Sequence, residues 1–103
     1  MNNSKVRTFI GFSVKAGKLR TGNNTLSTLK KAYLILVSCD AAAATKENAV
    51  KYGKKYRCAV LESKGVPLEE YINKSGVKIA AVTDAALAKA IKDNSETEFN
   101  AVC

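Results

Sequence analysis

Residues 33–39 read YLILVSC, and this stretch decides the fold. It is a continuous apolar run of strand length, which is typical of a strand that is covered on both faces of a sheet. We therefore expect it to form the central strand. The flanking sequence must then supply helices and further strands to cover it.

The segment before this run predicts a helix, a short strand and a second helix. Apolar residues recur at spacings of three and four up to residue 14, which predicts a first helix over roughly residues 3–16. Residues 18–21 are long enough for only a short strand. Residues 22–24 supply the cap of a second helix that we expect to end near Lys31.

The segment after the central run predicts three helices and two more strands. They are a helix capped by Asp40, a strand over residues 57–61, a helix from Pro67 to Gly76, a last strand over residues 77–83 and a final helix that begins at Asp84. The pattern predicts an α/β fold, a three-layer α/β/α sandwich with a small mixed four-stranded sheet. We expect one domain over residues 1–94 and a frayed C-terminal tail over residues 95–103.

The amino-acid composition argues against several classes of protein. The chain of 103 residues contains three cysteines without CxxC spacing and no histidine, which argues against a zinc site and a disulfide framework. No apolar run approaches the roughly 18 residues of a membrane span, and the first residues lack the pattern of a signal peptide. We therefore expect a cytoplasmic monomer without a cofactor, a metal or a membrane partner.

Charge is distributed unevenly along the chain. There are 17 basic and 9 acidic residues, and residues 1–66 hold 13 of the basic but only 3 of the acidic ones. This polarity predicts one cationic face and a polyanionic partner such as RNA. An ordinary solvated surface rich in lysine is the alternative.

Residues 18–31, KLRTGNNTLSTLKK, combine the features of an anion-binding surface. Gly22 allows a ligand to approach the backbone closely, and the start of the following helix presents unpaired N–H groups and the positive end of its dipole. Lysines and an arginine flank both sides. A phosphate group is the expected ligand.

Motifs for catalysis are weak. The spacing of Gly17 and Gly22 is that of a phosphate loop, but Asn23 and Asn24 stand where that motif requires Lys and then Ser or Thr. No dinucleotide-binding fingerprint follows any strand. One enzyme hypothesis remains: Cys39 lies at the carboxyl end of the central strand, immediately before a helix, where the pKa of a thiol can be lowered, although no histidine is present to assist it. We expect no enzyme activity.

Several short motifs resemble those of one family. They are FIGF at residues 9–12, AGKL at 16–19, TGNN at 21–24, LILVSCD at 34–40 and AAVTD at 80–84. In this order and spacing the chain resembles the kink-turn-binding ribosomal protein superfamily, of the ribosomal protein L seven Ae type, and more narrowly its bacterial YlxQ-like branch. The resemblance covers roughly residues 4–93.

The resemblance implies binding of structured RNA, such as ribosomal RNA, through the start of the second helix and the loop before the last strand. Gly22 and Asn24 match the family motif Gly-x-Asn-Glu-x-Thr-Lys, whereas Thr25 and Thr28 replace its Glu and Lys. The charge pattern and the resemblance together predict an RNA site formed by Lys18, Arg20, Gly22, Asn23, Asn24, Thr25, Thr28, Lys30, Lys31, Gly76, Val77 and Lys78.

The leading hypothesis is therefore a non-enzymatic RNA-binding protein whose partner is ribosomal or other structured RNA, with the ribosome as a further candidate partner. Two alternatives remain at this point. One is a protein-interaction or scaffold module with the same fold, and the other is a transferase that depends on Cys39.

Overall fold

The computed structural model describes residues 4–102, which form five helices and five strands. The helices are α1 (Lys5–Lys15), α2 (Asn23–Ser27), α3 (Ala43–Tyr56), α4 (Leu68–Ile72) and α5 (Ala85–Asp93). The strands are β1 (Leu19–Thr21), β2 (Leu34–Val37), β3 (Ala59–Ser63), β4 (Ile79–Val82) and β5 (Phe99–Val102). The predicted α/β class is confirmed.

One mixed sheet has the strand order β1-β4-β2-β3-β5. β2 and β3 pair in parallel, and the other neighbours pair antiparallel. β2 therefore lies in the middle, and all four of its residues are buried. The prediction that the apolar run at residues 33–39 contains the central strand is confirmed.

The central strands β2 and β4 bury all of their residues, and because successive side chains of a strand point in opposite directions, both faces of these strands are covered. Leu34 and Leu36 pack in a core cluster with residues of α1, α4 and α5. Ile35 and Val37 pack in a second cluster with residues of α2 and α3. Helices thus contribute residues to both core clusters.

The C-terminal segment corrects the prediction of a four-stranded sheet followed by a tail. Residues 99–102 form β5, which pairs with β3 from Ser63 opposite Phe99 to Val60 opposite Val102. Phe99 is buried, and its ring centroid lies 5.0 Å from that of Tyr71. The domain therefore includes this segment. Residue 103 of the predicted tail and residues 1–3 of the predicted domain lie outside the described residues.

Three helices differ from prediction at their ends. α4 ends at Ile72 rather than at Gly76, because Asn73 adopts a left-handed conformation with φ 61°. α2 stops at Ser27, where the hydroxyls of Ser27 and Thr28 bind the carbonyls of Asn24 and Thr25 and compete with helix continuation. α3 begins after Ala42 because the preceding residues form a turn.

Asp84 does cap α5, as predicted, and accepts a hydrogen bond from the N–H of Ala86 at 3.1 Å. In the described part of the chain, no helix has the length and hydrophobicity needed to cross a bilayer.

Candidate nucleic-acid interface

Two of the predicted RNA-binding segments meet at one end of the sheet. β1 and β4 are antiparallel, so the end of β1 lies beside the beginning of β4. The N–H of Gly22 donates to the carbonyl of Ile79 at 3.2 Å. Residues 22–25 and 75–78 are therefore neighbours, and we call them the two-loop surface.

Backbone conformation explains both glycines of the two-loop surface. Gly22 has φ +94° and Gly76 has φ +82°, in the region that side chains disfavour. No atom lies within 4 Å of a Cβ built at either position. Both glycines are exposed, so a ligand can reach their backbone.

The polar side chains of residues 22–25 differ in what they already bind. Asn23 joins α2 to α3: its Oδ1 accepts from Asn48 at 3.4 Å, and its carbonyl accepts from the Tyr52 hydroxyl at 2.9 Å. Asn24 and Thr25 are exposed, and their side chains form no hydrogen bond within residues 4–102. These two side chains are therefore available to a ligand.

Lys78 is held by two carboxylates. Its Nζ lies 2.9 Å from Oδ2 of Asp40 and 3.4 Å from Oε1 of Glu69. A hydrogen bond from the Ser38 hydroxyl, together with Lys78, lowers the pKa of Asp40, and the hydrogen bond to Asp40 raises the pKa of Lys78. The positive charge of Lys78 is balanced before any ligand arrives.

The loop before β4 is fixed by the same network. Glu69 also accepts a hydrogen bond from the N–H of Gly76. Val77 is buried in the core cluster of α1, α4 and α5. Val77 and Lys78, two predicted RNA contacts, therefore hold the loop in place, while the backbone at Gly76 remains exposed.

A basic cavity of about 720 Å³ lies at the opposite end of the sheet. It begins where β2 and β3 begin, and the N–H of Tyr33 donates there to the carbonyl of Val82 at 2.8 Å. Two tyrosines, Tyr33 and Tyr56, belong to its wall. Its cationic residues are Lys30, Lys31, Lys54, Lys55, Arg57 and Lys92.

The cations that were predicted to flank the start of α2 do not gather there. Lys30 and Lys31 line the basic cavity, and the carbonyl of Lys18 accepts from Thr83 at the same end of the sheet. Arg20 lies in the middle of β1, opposite Ala81. The reason is the shortness of α2, after which the chain continues along the sheet to the other end.

Sequence reasoning missed four residues of the basic cavity. Lys54, Lys55 and Arg57 surround the end of α3 just before β3, and Lys92 comes from the last turn of α5. The cluster of cations at the junction of α3 and β3 was a usable signal, because that junction lies at the end of the sheet where β3 begins. The contribution of Lys92 depends on how α5 packs.

Cys39 and Cys58, the cysteines within residues 4–102, do not form a recognisable chemical site. Cys39 is partly buried, its N–H donates to the Ser63 hydroxyl at 2.9 Å, and α3 begins four residues later. Burial raises the pKa of Cys58. Among the described residues, no three His, Cys, Asp or Glu side chains are grouped to hold a metal ion.

Comparison of the sequence with family models and with curated proteins finds no match. Among solved structures, a protein of unknown function from Bacillus halodurans is similar to this chain, with a TM-score of 0.79 and 20% sequence identity. The match covers 91% of this chain and 99% of that chain. At this level of identity the likeness shows that the two chains share a fold.

Proposed function

We propose that this protein binds structured, kink-turn-like RNA, such as ribosomal RNA, and is not an enzyme. The observation that carries the proposal is the contact between residues 22–25 and 75–78. These are the two loops that the resemblance to kink-turn-binding proteins associates with RNA, and the Gly22 to Ile79 hydrogen bond joins them. A cytoplasmic monomer of the YlxQ-like branch belongs to the same proposal. So does a three-layer α/β/α fold, and the two core clusters support this part.

The charges of the protein favour a polyanion. Within residues 4–102, only Lys46, Lys78 and Lys89 form ion pairs with carboxylates. The other Lys and Arg side chains have no carboxylate partner there, and among them Arg7, Lys55 and Lys64 donate hydrogen bonds to backbone carbonyls. Release of counterions from phosphates drives the binding of a polyanion and makes it sensitive to salt.

The two-loop surface suits contacts with bases and sugars. Asn24 offers both a donor and an acceptor, and Thr25 offers a hydroxyl. Lys78 is balanced by Asp40 and Glu69, so it adds little attraction for phosphate. We therefore assign recognition to Asn24 and Thr25, and general attraction to cations elsewhere on the protein.

The test is the substitution Asn24→Ala. The matched control is Asn100→Ala, at an exposed position of β5. Loss of a buried polar contact should weaken binding of a preferred RNA by about 1–3 kcal/mol and leave random RNA unchanged. Fluorescence anisotropy with both RNAs measures this difference. Equal losses for both RNAs would refute recognition by Asn24, and no binding of any RNA would refute the function.

A protein-interaction module is the second candidate, because two apolar side chains of α1 are exposed. Phe12 is 51% exposed and Val14 is 41% exposed. Exposed apolar side chains of this size occur at protein interfaces. Affinity capture with and without ribonuclease separates the candidates: a protein partner that is retained after digestion favours this one, and loss of all partners favours RNA.

A further inference from the structure

We propose that the basic cavity binds the backbone of a second, single-stranded RNA segment, so that the protein holds two RNA segments at opposite ends of its sheet. The inference rests on the proposed RNA-binding function. It adds a separate site, a type of RNA and a role for residues outside the two-loop surface.

The first observation is that the positive charges of the basic cavity are not balanced by carboxylates. Six cations line the cavity, and none of the described residues in its wall is acidic. None of the six forms an ion pair with a carboxylate in the described part of the chain. The negative end of the α3 dipole favours Lys54 and Lys55, but it does not explain why Lys30, Lys31 and Lys92 gather there from other segments. A phosphate backbone would neutralise this group.

The second observation is the backbone of Arg57. It ends α3 with φ +54°, a left-handed conformation in which glycine is the favoured residue. A cationic side chain therefore stands at a position where glycine would be better for folding. This agrees with a role for its charge in the cavity wall, where it adds to the other cations.

The third observation is an accessible aromatic ring. Tyr56 is already used, since its hydroxyl donates to the carbonyl of Leu26 and Lys55 lies 5.2 Å from its ring centroid. Tyr33 is 40% exposed, and its side chain has no hydrogen bond among the described residues. A stacking ring surrounded by cations is how proteins bind unpaired nucleotides. Bases inside a duplex are stacked on both faces and offer no open face to Tyr33.

The two sites are separated by the length of the sheet. β4 begins at the two-loop surface and ends beside the cavity, and its four residues span about 10 Å. The intervening face is covered by α2 and its contacts with α3. The two sites are therefore separate surfaces, and the two-site test below asks whether both bind RNA at once.

The charge test uses Lys30→Gln with Lys54→Gln, and the control is Lys5→Gln with Lys15→Gln on α1, which has the same net charge. Binding of a labelled single-stranded oligonucleotide is measured by anisotropy from about 50 to 200 mM salt. The slope of log K against log salt should fall by about 0.7 for each lost phosphate contact in the cavity variant. The control variant should keep the wild-type slope. Equal slopes in both variants would overturn the inference.

The stacking test compares Tyr33→Leu with Tyr33→Phe. Loss of one stacked base should weaken oligonucleotide binding about 5- to 150-fold in Tyr33→Leu, and Tyr33→Phe should retain it. Thermal unfolding of each variant shows whether the fold is intact. Full affinity in folded Tyr33→Leu would contradict stacking on this ring.

The two-site test adds a saturating structured RNA to the protein that carries the labelled oligonucleotide. A ternary complex supports two sites, and displacement of the oligonucleotide refutes them. Equal affinity for a nucleoside triphosphate or an acidic peptide would identify another ligand and refute the RNA assignment. If the cavity variants bind both RNAs normally, only the second site fails; if wild-type protein binds no RNA, the proposed function fails as well.

Discussion

Lys78 is shared between Asp40 and Glu69, and this arrangement decides what the loop before β4 offers to a ligand. The side chain was predicted to contact RNA. In the structure it links the loop to the turn after β2 and to α4. Its contribution is therefore to the shape of the two-loop surface, and the exposed polar groups of Asn24 and Thr25 are left for recognition.

The lowered pKa of Asp40 gives a pH-dependent prediction. Its pKa lies below the ordinary value of 3.8, so its contribution to stability is present above pH 3.8 and is lost as the pH falls through the folded value. Asp40→Asn should lower the urea midpoint at pH 7, and the difference from wild type should shrink below pH 3.8. Asp93→Asn, which breaks the exposed pair with Lys89, is the control with a smaller effect. A difference that is constant with pH would contradict the role of the Asp40 charge.

Arg57 gives a prediction with opposite effects on folding and binding. A non-glycine residue in the left-handed conformation costs about 1–2 kcal/mol, and a glycine at position 57 would remove this cost. Part of the resulting gain in stability is offset by the greater conformational entropy of glycine in the unfolded chain. Arg57→Gly should raise the free energy of unfolding by about 1 kcal/mol and weaken RNA binding. Arg57→Lys retains charge and conformation, so it serves as the control. Denaturant unfolding and RNA titration measure both effects, and unchanged affinity in Arg57→Gly would remove Arg57 from the site.

At the scale of elements, β5 shows that the C-terminal segment is part of the core. Phe99 packs against Tyr71, and the Tyr71 hydroxyl donates to Glu98 at 2.8 Å. Burial, followed by this hydrogen bond, raises the pKa of Tyr71. The Ser4 hydroxyl also donates to Glu98 at 2.6 Å, so the segment joins the beginning of α1 to α4 and β3.

The packing of β5 in the core predicts that shortening one of its side chains strongly reduces the stability of the protein. Phe99→Ala should reduce the free energy of unfolding by about 3–5 kcal/mol, because it removes a buried aromatic side chain and leaves a cavity. Asn100→Ala on the exposed side of the same strand should change it by less than about 0.5 kcal/mol. Urea denaturation of both variants measures the contrast. A Phe99→Ala protein as stable as wild type would mean that the segment behaves as the tail first predicted.

Elements with strong local signals were predictable from sequence. The central strand has a continuous apolar run, and α5 has a capping aspartate, so both were predicted correctly. β5 was missed because two of its four residues are exposed, so it has no continuous apolar run, and because its pairing with β3 depends on tertiary structure. α2 was predicted too long because the hydroxyls that end it could equally belong to a helix surface.

At the scale of the whole molecule, the positive charge lies in a different place from the predicted site. The sequence predicted a cationic polarity but placed Lys30 and Lys31 near the start of α2. In the structure they line the basic cavity with residues from α3 and α5, which are distant in sequence. Such a cavity depends on the packing of separate elements, so periodicity and motifs could not reveal it.

The most direct test of RNA binding is the salt dependence of wild-type affinity for a structured RNA. If about six cations contact phosphates, affinity should fall about a thousandfold between 50 and 200 mM salt, with a linear relation between log K and log salt. No binding at 50 mM salt, or an affinity that does not change with salt, would contradict the account.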